Sequence, residues 1–219
     1  TVSRFVDHIP YYRQEQINAR SGVHTPRSTL ASWSGQAGAA LLPLYAAHRE
    51  FVLSCAVVHA DETPVAMLDP GAGKTKRAYV WAYARGGFDV SPGVVYEFCL
   101  GRGAKYPLEF LKGWSGTLLS DGYGVYDQVL KQERRVGAAC FAHARRKFDE
   151  LVKDNLSPVG TQAIQRMAAL YQIERQVKGF SPEDRQAIRQ SSSKPLCEEL
   201  HAWLKLERQR VPEGGATAK

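Results

Sequence analysis

Ala56-Val57-Val58-His59-Ala60, running straight into Asp61-Glu62-Thr63-Pro64, reads as a short β-strand that stops at a polar exit. Two more strand-like runs follow, Ala78-Tyr79-Val80-Trp81-Ala82-Tyr83 and Gly93-Val94-Val95-Tyr96-Glu97-Phe98. Gly86-Gly87 and Ser91-Pro92-Gly93 lie between them, so these two are expected to form a hairpin. Pro107 opens a short helix through Leu111, and Gly116-Thr117-Leu118-Leu119-Ser120 is a fourth strand that runs into Asp121-Gly122. Val125 to Lys131 reads as helix and Val136-Gly137-Ala138-Ala139-Cys140 as a fifth strand. The order is β-β-β-α-β-α-β, which is an α/β class of fold.

Residues 1–54, before this core, read as helical. Tyr11 to Ala19 is one stretch, Ser21-Gly22 breaks it, and Pro26 starts another that places Leu30 and Trp33 on one face. Helix, glycine-containing turn and helix match the outline of a helix-turn-helix, which any two packed helices also give. A third stretch, Ala37 to Phe51, carries Pro43, expected to start or kink it. From Ala144 onward the chain reads as helix. Ile164, Met167, Ala168 and Tyr171 share one face, and Leu196, Leu200, Trp203 and Leu204 form another stripe. Ser181-Pro182 with Asp184 is a good helix start, and Pro212-Glu213-Gly214-Gly215 reads as a loop. The expected division is a helical segment over 1–54, a core over 55–150 and a helical portion over 151–219.

The 219 residues suffice for one ordinary domain, and at 44% hydrophobic residues the chain can bury a sizeable core. No apolar run is long enough to span a bilayer. No basic-then-apolar start marks a secretory signal, and a cytoplasmic, nucleoid-associated location is expected. The chain begins at Thr1 rather than Met, as expected for a piece of a longer reading frame. Its net charge of +7 permits a polyanionic partner such as DNA without demanding one. Cys55, Cys99, Cys140 and Cys197 are widely spread, against both a zinc ribbon and a disulfide scaffold.

Four clusters invite chemistry. Gly73-Lys74-Thr75 resembles the end of a phosphate loop, but that loop needs glycine where Leu68 stands and a helix where the next strand is expected, so a basic turn is the better reading. Asp61 and Asp121 each follow a strand. Two carboxylates brought together repel unless a hard, oxygen-seeking cation such as Mg²⁺ lies between them, and two such ions assist phosphoryl transfer. On spacing alone the plainer alternatives, a polar strand exit and an Asp-Gly turn, are favoured. Cys140 and His143 lack a second ligand pair, so zinc is not expected. Arg145, Arg146 and Lys147 open a helix and suit either phosphates or a solvated face.

Taken in order, six segments resemble the transposases of the insertion-sequence-66 family. They are His8 through Gln16; Gly22-Val23 with Arg27 through Trp33; His59 through Pro64; Gly73-Lys74-Thr75 with Tyr79-Val80-Trp81; Leu119 through Tyr123; and Cys140 through Phe148. The resemblance implies a ribonuclease H-like core and an acidic triad of the DDE type, with Asp61 as first acid and Asp121 as second, binding Mg²⁺ or Mn²⁺. The family's third acid is a Glu in an Asn-Asn-x-x-Glu-Arg block after a helical insertion, and no such block occurs in these 219 residues. Glu150 and Asp154 follow the fifth strand, but the family pattern puts its Glu further on.

The leading expectation is therefore a bacterial transposase core, truncated before its third acid. It would act on the element's terminal inverted repeats and on target DNA, in a homo-oligomeric complex, with Arg27, Arg145, Arg146 and Lys147 contacting DNA. The alternative is a catalytically inactive DNA-binding or assembly fragment. A metal-dependent nuclease unrelated to transposition would need a third acid in this chain, and a phosphate-loop nucleotide hydrolase is the weakest reading.

Overall fold

The structure is a computed structural model and describes residues 1–87, 89–155 and 157–211. The expected loop over 212–215 lies outside the described residues.

The chain opens with α1 (Val2–Phe5), α2 (Tyr11–Arg20), α3 (Arg27–Ala40) and α4 (Leu42–Leu53). Pro10 and Pro26 stand immediately before α2 and α3, and Gly22, at φ 79°, turns the chain between them. The expected third stretch breaks at Leu41: α3 runs on to Ala40, and Pro43 sits in the first turn of α4, where its missing N–H costs nothing. No residue of α1, α2 or α3 is buried, whereas α4 sinks Val52 completely into the core.

Five strands then form one mixed sheet: β1 (Val57–Leu68), β2 (Thr75–Arg85), β3 (Val94–Cys99), β4 (Gly116–Ser120) and β5 (Arg135–Ala139), in the order β3-β2-β1-β4-β5. β1 with β2 and β2 with β3 are antiparallel, while β1 with β4 and β4 with β5 are parallel. The two parallel steps are bridged by α5 (Lys105–Phe110) and α6 (Val125–Leu130). The anticipated element order is thus present, and the hairpin between β2 and β3 is present with it.

One correction concerns the decisive stretch. β1 does not stop at Ala60 but continues through Asp61-Glu62-Thr63-Pro64 to Leu68, paired along its length with β2. Pro64 is tolerated because β4 accompanies β1 only as far as His59, which leaves that side of the strand an edge.

Trp81 and Tyr83 of β2, Val58 of β1 and Leu118 of β4 form the strand side of the main core. Phe110 lies flat on Tyr83 with ring centroids 3.9 Å apart, and Tyr126 meets Trp81 edge-on at 6.0 Å. Arg135 ties the far side together, donating to the carbonyls of Trp114, Val129 and Leu111. Along β1, Val58, Ala60 and Glu62 point into this core, so His59 and Asp61 point to the opposite face.

Glu62 is a carboxylate with 1% of its side chain exposed. Its Oε1 accepts from Arg102 Nε at 2.7 Å and Nη2 at 2.5 Å, and its Oε2 accepts from the Tyr126 hydroxyl at 2.8 Å. Burial pushes the Tyr126 hydroxyl far above its ordinary range, and the Glu62 carboxylate adds to that. Burial alone would lower Arg102, but its hydrogen bonds to Glu62 raise it. The Arg102 guanidinium in turn lies 3.7 Å over the Tyr123 ring.

After β5 come α7 (Phe141–Asn155), α8 (Pro158–Gln176), α9 (Pro182–Ile188), a π-helical turn (Arg189–Ser193) and α10 (Lys194–Arg210). Ser181 caps α9 as expected, accepting from the Asp184 N–H at 3.1 Å. Met167, Leu170 and Leu200 make a second, small core with Leu196, Trp203 and Leu204 against it. The expected α8 face is rotated by about one residue. Gly160, Ala163, Met167 and Leu170 are buried and Ala168 is exposed. The reason is Gly160, where a Cβ would come within 2.9 Å of Val152 and 3.0 Å of the Phe148 carbonyl oxygen, so α7 rests on that stripe.

Two substitutions probe the stability of this arrangement. Gly116 has φ 146°, and a Cβ there would stand 2.4 Å from the Ala56 carbonyl oxygen. Gly116→Ala is expected to cost about 2 kcal/mol or more, read as a lower thermal midpoint. Glu62→Gln keeps the side chain's shape but removes its charge. It should cost about 2 kcal/mol, read as a lower urea midpoint with an unchanged slope.

Candidate functional site

The parallel pairing of β1 with β4 covers Val57↔Thr117 to His59↔Leu119 and then ends. Asp61 lies two residues beyond it on β1, and Asp121 two residues beyond it in the turn after β4. Both acids therefore stand just past the carboxyl-terminal end of the β1–β4 pairing, at the edge where that pairing opens. For Asp121 the expected place after a strand is found. Asp61 is instead held within a strand, by antiparallel pairing opposite Ala82.

The opening is a cleft of about 200 Å³, lined among others by His59, Asp61, Ser120, Asp121, Cys140 and His143. Ala82 and Ala84 of β2 also line it, and their small side chains leave its space open. Asp61 Oδ1 accepts from the Glu62 N–H at 2.9 Å. Asp121 Oδ1 accepts from the Tyr123 N–H at 2.9 Å, an Asx turn completed by Gly122 at φ 84°. In each carboxylate Oδ2 has no hydrogen-bond partner among the described residues and can accept from a ligand.

The buried Glu62 network ties these two acids to one support. Glu62 follows Asp61 directly on β1, and Tyr123, which fixes Asp121, lies under Arg102. Sequence reading missed Glu62. The signal is alternation: once β1 is known to continue past Asp61, the next residue must face the core.

Cys140 and His143 enter the same cleft because β5 delivers the chain directly into α7. The Cys140 N–H donates to the Ser120 carbonyl at 2.7 Å, which locks the start of α7 to the end of β4. His143 Nδ1 is buried and has no hydrogen-bond partner among the described residues. Even so, among the described residues no three His, Cys, Asp or Glu side chains converge as a metal site.

Other candidates lie elsewhere. Arg145 is half-buried, and Arg146 and Lys147 are exposed on α7 next to His143, outside the cleft lining. Lys147 pairs with Glu150 at 3.7 Å. Neither Glu150 nor Asp154 lines the cleft. Arg27 opens α3 and pairs with Glu15 of α2 at 3.4 Å, also apart from the cleft. The glycine-rich turn of Gly73-Lys74-Thr75 joins two strands and precedes no helix, as the sequence indicates.

Three proteins of Sinorhizobium fredii resemble the chain. Uncharacterized protein y4qI is 37% identical over 229 residues, covering all of this chain and 42% of its own length. Uncharacterized protein y4jD is 37% identical over 93% of this chain and 42% of its own length. Uncharacterized protein y4hP is 32% identical over 94% of this chain and 40% of its own. The chain thus spans about two-fifths of the length of the curated relatives it matches. Among the described residues no helix is long and apolar enough to cross a membrane. The sequence pattern described as "Transposase IS66 family" matches residues 1–219, and the chain belongs to that family.

Proposed function

We propose that these residues carry the DNA-cleaving centre of a DDE-type transposase, on a ribonuclease H-like core. The observation that carries the reading is the pair Asp61 and Asp121: two carboxylates just past the end of the parallel β1–β4 pairing, at one cleft, each with one oxygen fixed by the backbone and the other without a hydrogen-bond partner among the described residues. The strand order β3-β2-β1-β4-β5 puts the central strand β1 and its parallel neighbour β4 under them.

The free oxygens suit a hard cation, and Asp61 and Asp121 would hold Mg²⁺ or Mn²⁺. Such an ion supplies neutralisation of the phosphate's charge and activation of the attacking oxygen. The chain's own contribution is rigidity. The backbone N–H groups of Glu62 and Tyr123 hold each carboxylate in one orientation, and the Glu62–Arg102–Tyr126 network keeps both supports from drifting. In the overall reaction water attacks phosphorus and the P–O3′ bond breaks, leaving a 5′-phosphate and a free 3′-hydroxyl; that hydroxyl then attacks a target phosphodiester, whose own P–O3′ bond breaks to release a target 3′-hydroxyl. The third acid is expected outside these residues. Arg145, Arg146 and Lys147 on α7 would hold backbone phosphates, and the α2–α3 pair with Arg27 would serve as a helix-turn-helix-like arm for the element's ends.

The test is Mn²⁺ titration by calorimetry of the intact chain, Asp61→Asn and Asp121→Asn. Each substitution should weaken Mn²⁺ binding at least about tenfold without lowering the thermal midpoint, and metal-dependent plasmid nicking by the longer protein should disappear with either. Equal Mn²⁺ binding by all three proteins, with DNA binding retained, would replace the catalytic reading by a DNA-binding or assembly role.

A further inference from the structure

β1 and β2 outrun the sheet that contains them. Their ladder extends from Val58↔Arg85 to Leu68↔Thr75. β4 leaves β1 at His59, and β3 reaches β2 only from Tyr79 onward. Residues 65–68 and 75–78 therefore form a two-stranded ribbon, closed by the turn over 69–74, with no third strand on either side among the described residues.

The ribbon end is exposed and basic. Leu68 is 80% exposed, and Lys74, Thr75, Lys76 and Arg77 are all exposed. Three cations thus fall within four residues, against the single carboxylate of Asp69. None of the three forms an ion pair among the described residues. Lys76 and Arg77 are neighbours on a strand, so they point to opposite faces of the ribbon. A groove between the strands is lined by Pro64, Val65, Ala66, Thr75, Lys76 and Arg77.

The ribbon also has a fixed relation to the acids. Lys76 pairs with Met67, six residues along β1 from Asp61. At about 3.3 Å per residue that is about 20 Å, or about six phosphates along one DNA strand. A two-stranded ribbon is of a size the major groove admits.

We propose that this ribbon is a DNA grip. Lys74, Lys76 and Arg77 hold backbone phosphates of duplex DNA about six nucleotides from the phosphate at Asp61 and Asp121. The proposal rests on the reading of DNA as the substrate and adds where the duplex lies. These contacts fix position and carry no base sequence. They also account for the glycine-rich basic turn that resembles a phosphate loop in sequence but cannot be one.

The experiment is fluorescence anisotropy of the intact chain on a labelled duplex of roughly 30 base pairs, in EDTA, across a salt series. EDTA makes the outcome independent of whether Asp61 and Asp121 hold a cation. K74Q/K76Q/R77Q should bind at least tenfold more weakly. Its slope of log affinity against log salt should be shallower by about 2–3, at about 0.9 for each phosphate no longer neutralised. The effect should be equal on duplexes of different sequence. The single variant R77Q should lose about one unit of that slope, which keeps the test valid if the triple variant folds poorly. R145Q/R146Q/K147Q is the comparator for the phosphates held by α7. Unchanged affinity and slope in the ribbon variants, with weaker binding by the α7 variant, would overturn the ribbon and leave the DNA reading standing. Wild-type chain that binds no duplex at low salt would overturn it as well. So would intact DNA binding with a changed sedimentation coefficient, which would make the ribbon a protein–protein interface.

Discussion

A carboxylate buried to 1% exposure constrains everything around it. Glu62 can stay in the core only while its oxygens are occupied, because an unpaired buried charge is strongly destabilising. Its partners come from two distant stretches, Arg102 after β3 and Tyr126 on α6. Satisfying one side chain therefore fixes the loop after β3, the helix after β4 and, through the Arg102–Tyr123 contact, the turn that bears Asp121. The two acids at the cleft are held at a fixed separation by a polar cluster on the other face of the sheet.

Much of this was legible in advance. β4 was readable to the residue because a glycine, three apolar or β-branched residues and an Asp-Gly turn mark it off. α9 was readable from its cap, and the α10 stripe from its spacing. The lengths of β1 and β2 were not. Among the described residues their outer ends have no third strand to lie against, so nothing selects apolar residues there, and Pro64 and the Gly-rich turn look like breaks. The α8 face was misjudged by one position because a glycine, which carries no hydrophobic signal, sets the packing. Asp61 and Asp121 were legible as candidates. Their support was not, because Arg102 and Tyr126 lie 40 and 64 residues from Glu62 in sequence.

The terminal helices behave differently from the core. α1, α2 and α3 bury no residue, and Trp33 stands 56% exposed on α3. Their order comes from local signals, prolines at the starts and Gly22 between, together with the Arg27–Glu15 pair. The helices after β5 have their own small core around Met167 and Leu200, and α7 joins it to the cleft by carrying His143 and Phe148 on one helix. The sheet is the common reference to which both sets of helices attach.

Asp61 and Glu62 are neighbours with the same functional group and opposite fates. A slip of one residue in β1 would reverse their faces, turning Glu62 to the cleft side and Asp61 to the core side. By charge the exchange is silent, and a comparison of compositions would not notice it. By length it is not: the aspartate is one methylene short of a position where Glu62 now reaches both Arg102 and Tyr126. The longer acid belongs inside, where it must span a gap, and the shorter one belongs at the cleft, where its backbone neighbour can hold it still. At this pair of positions side-chain reach, rather than acidity, decides which acid suits which face.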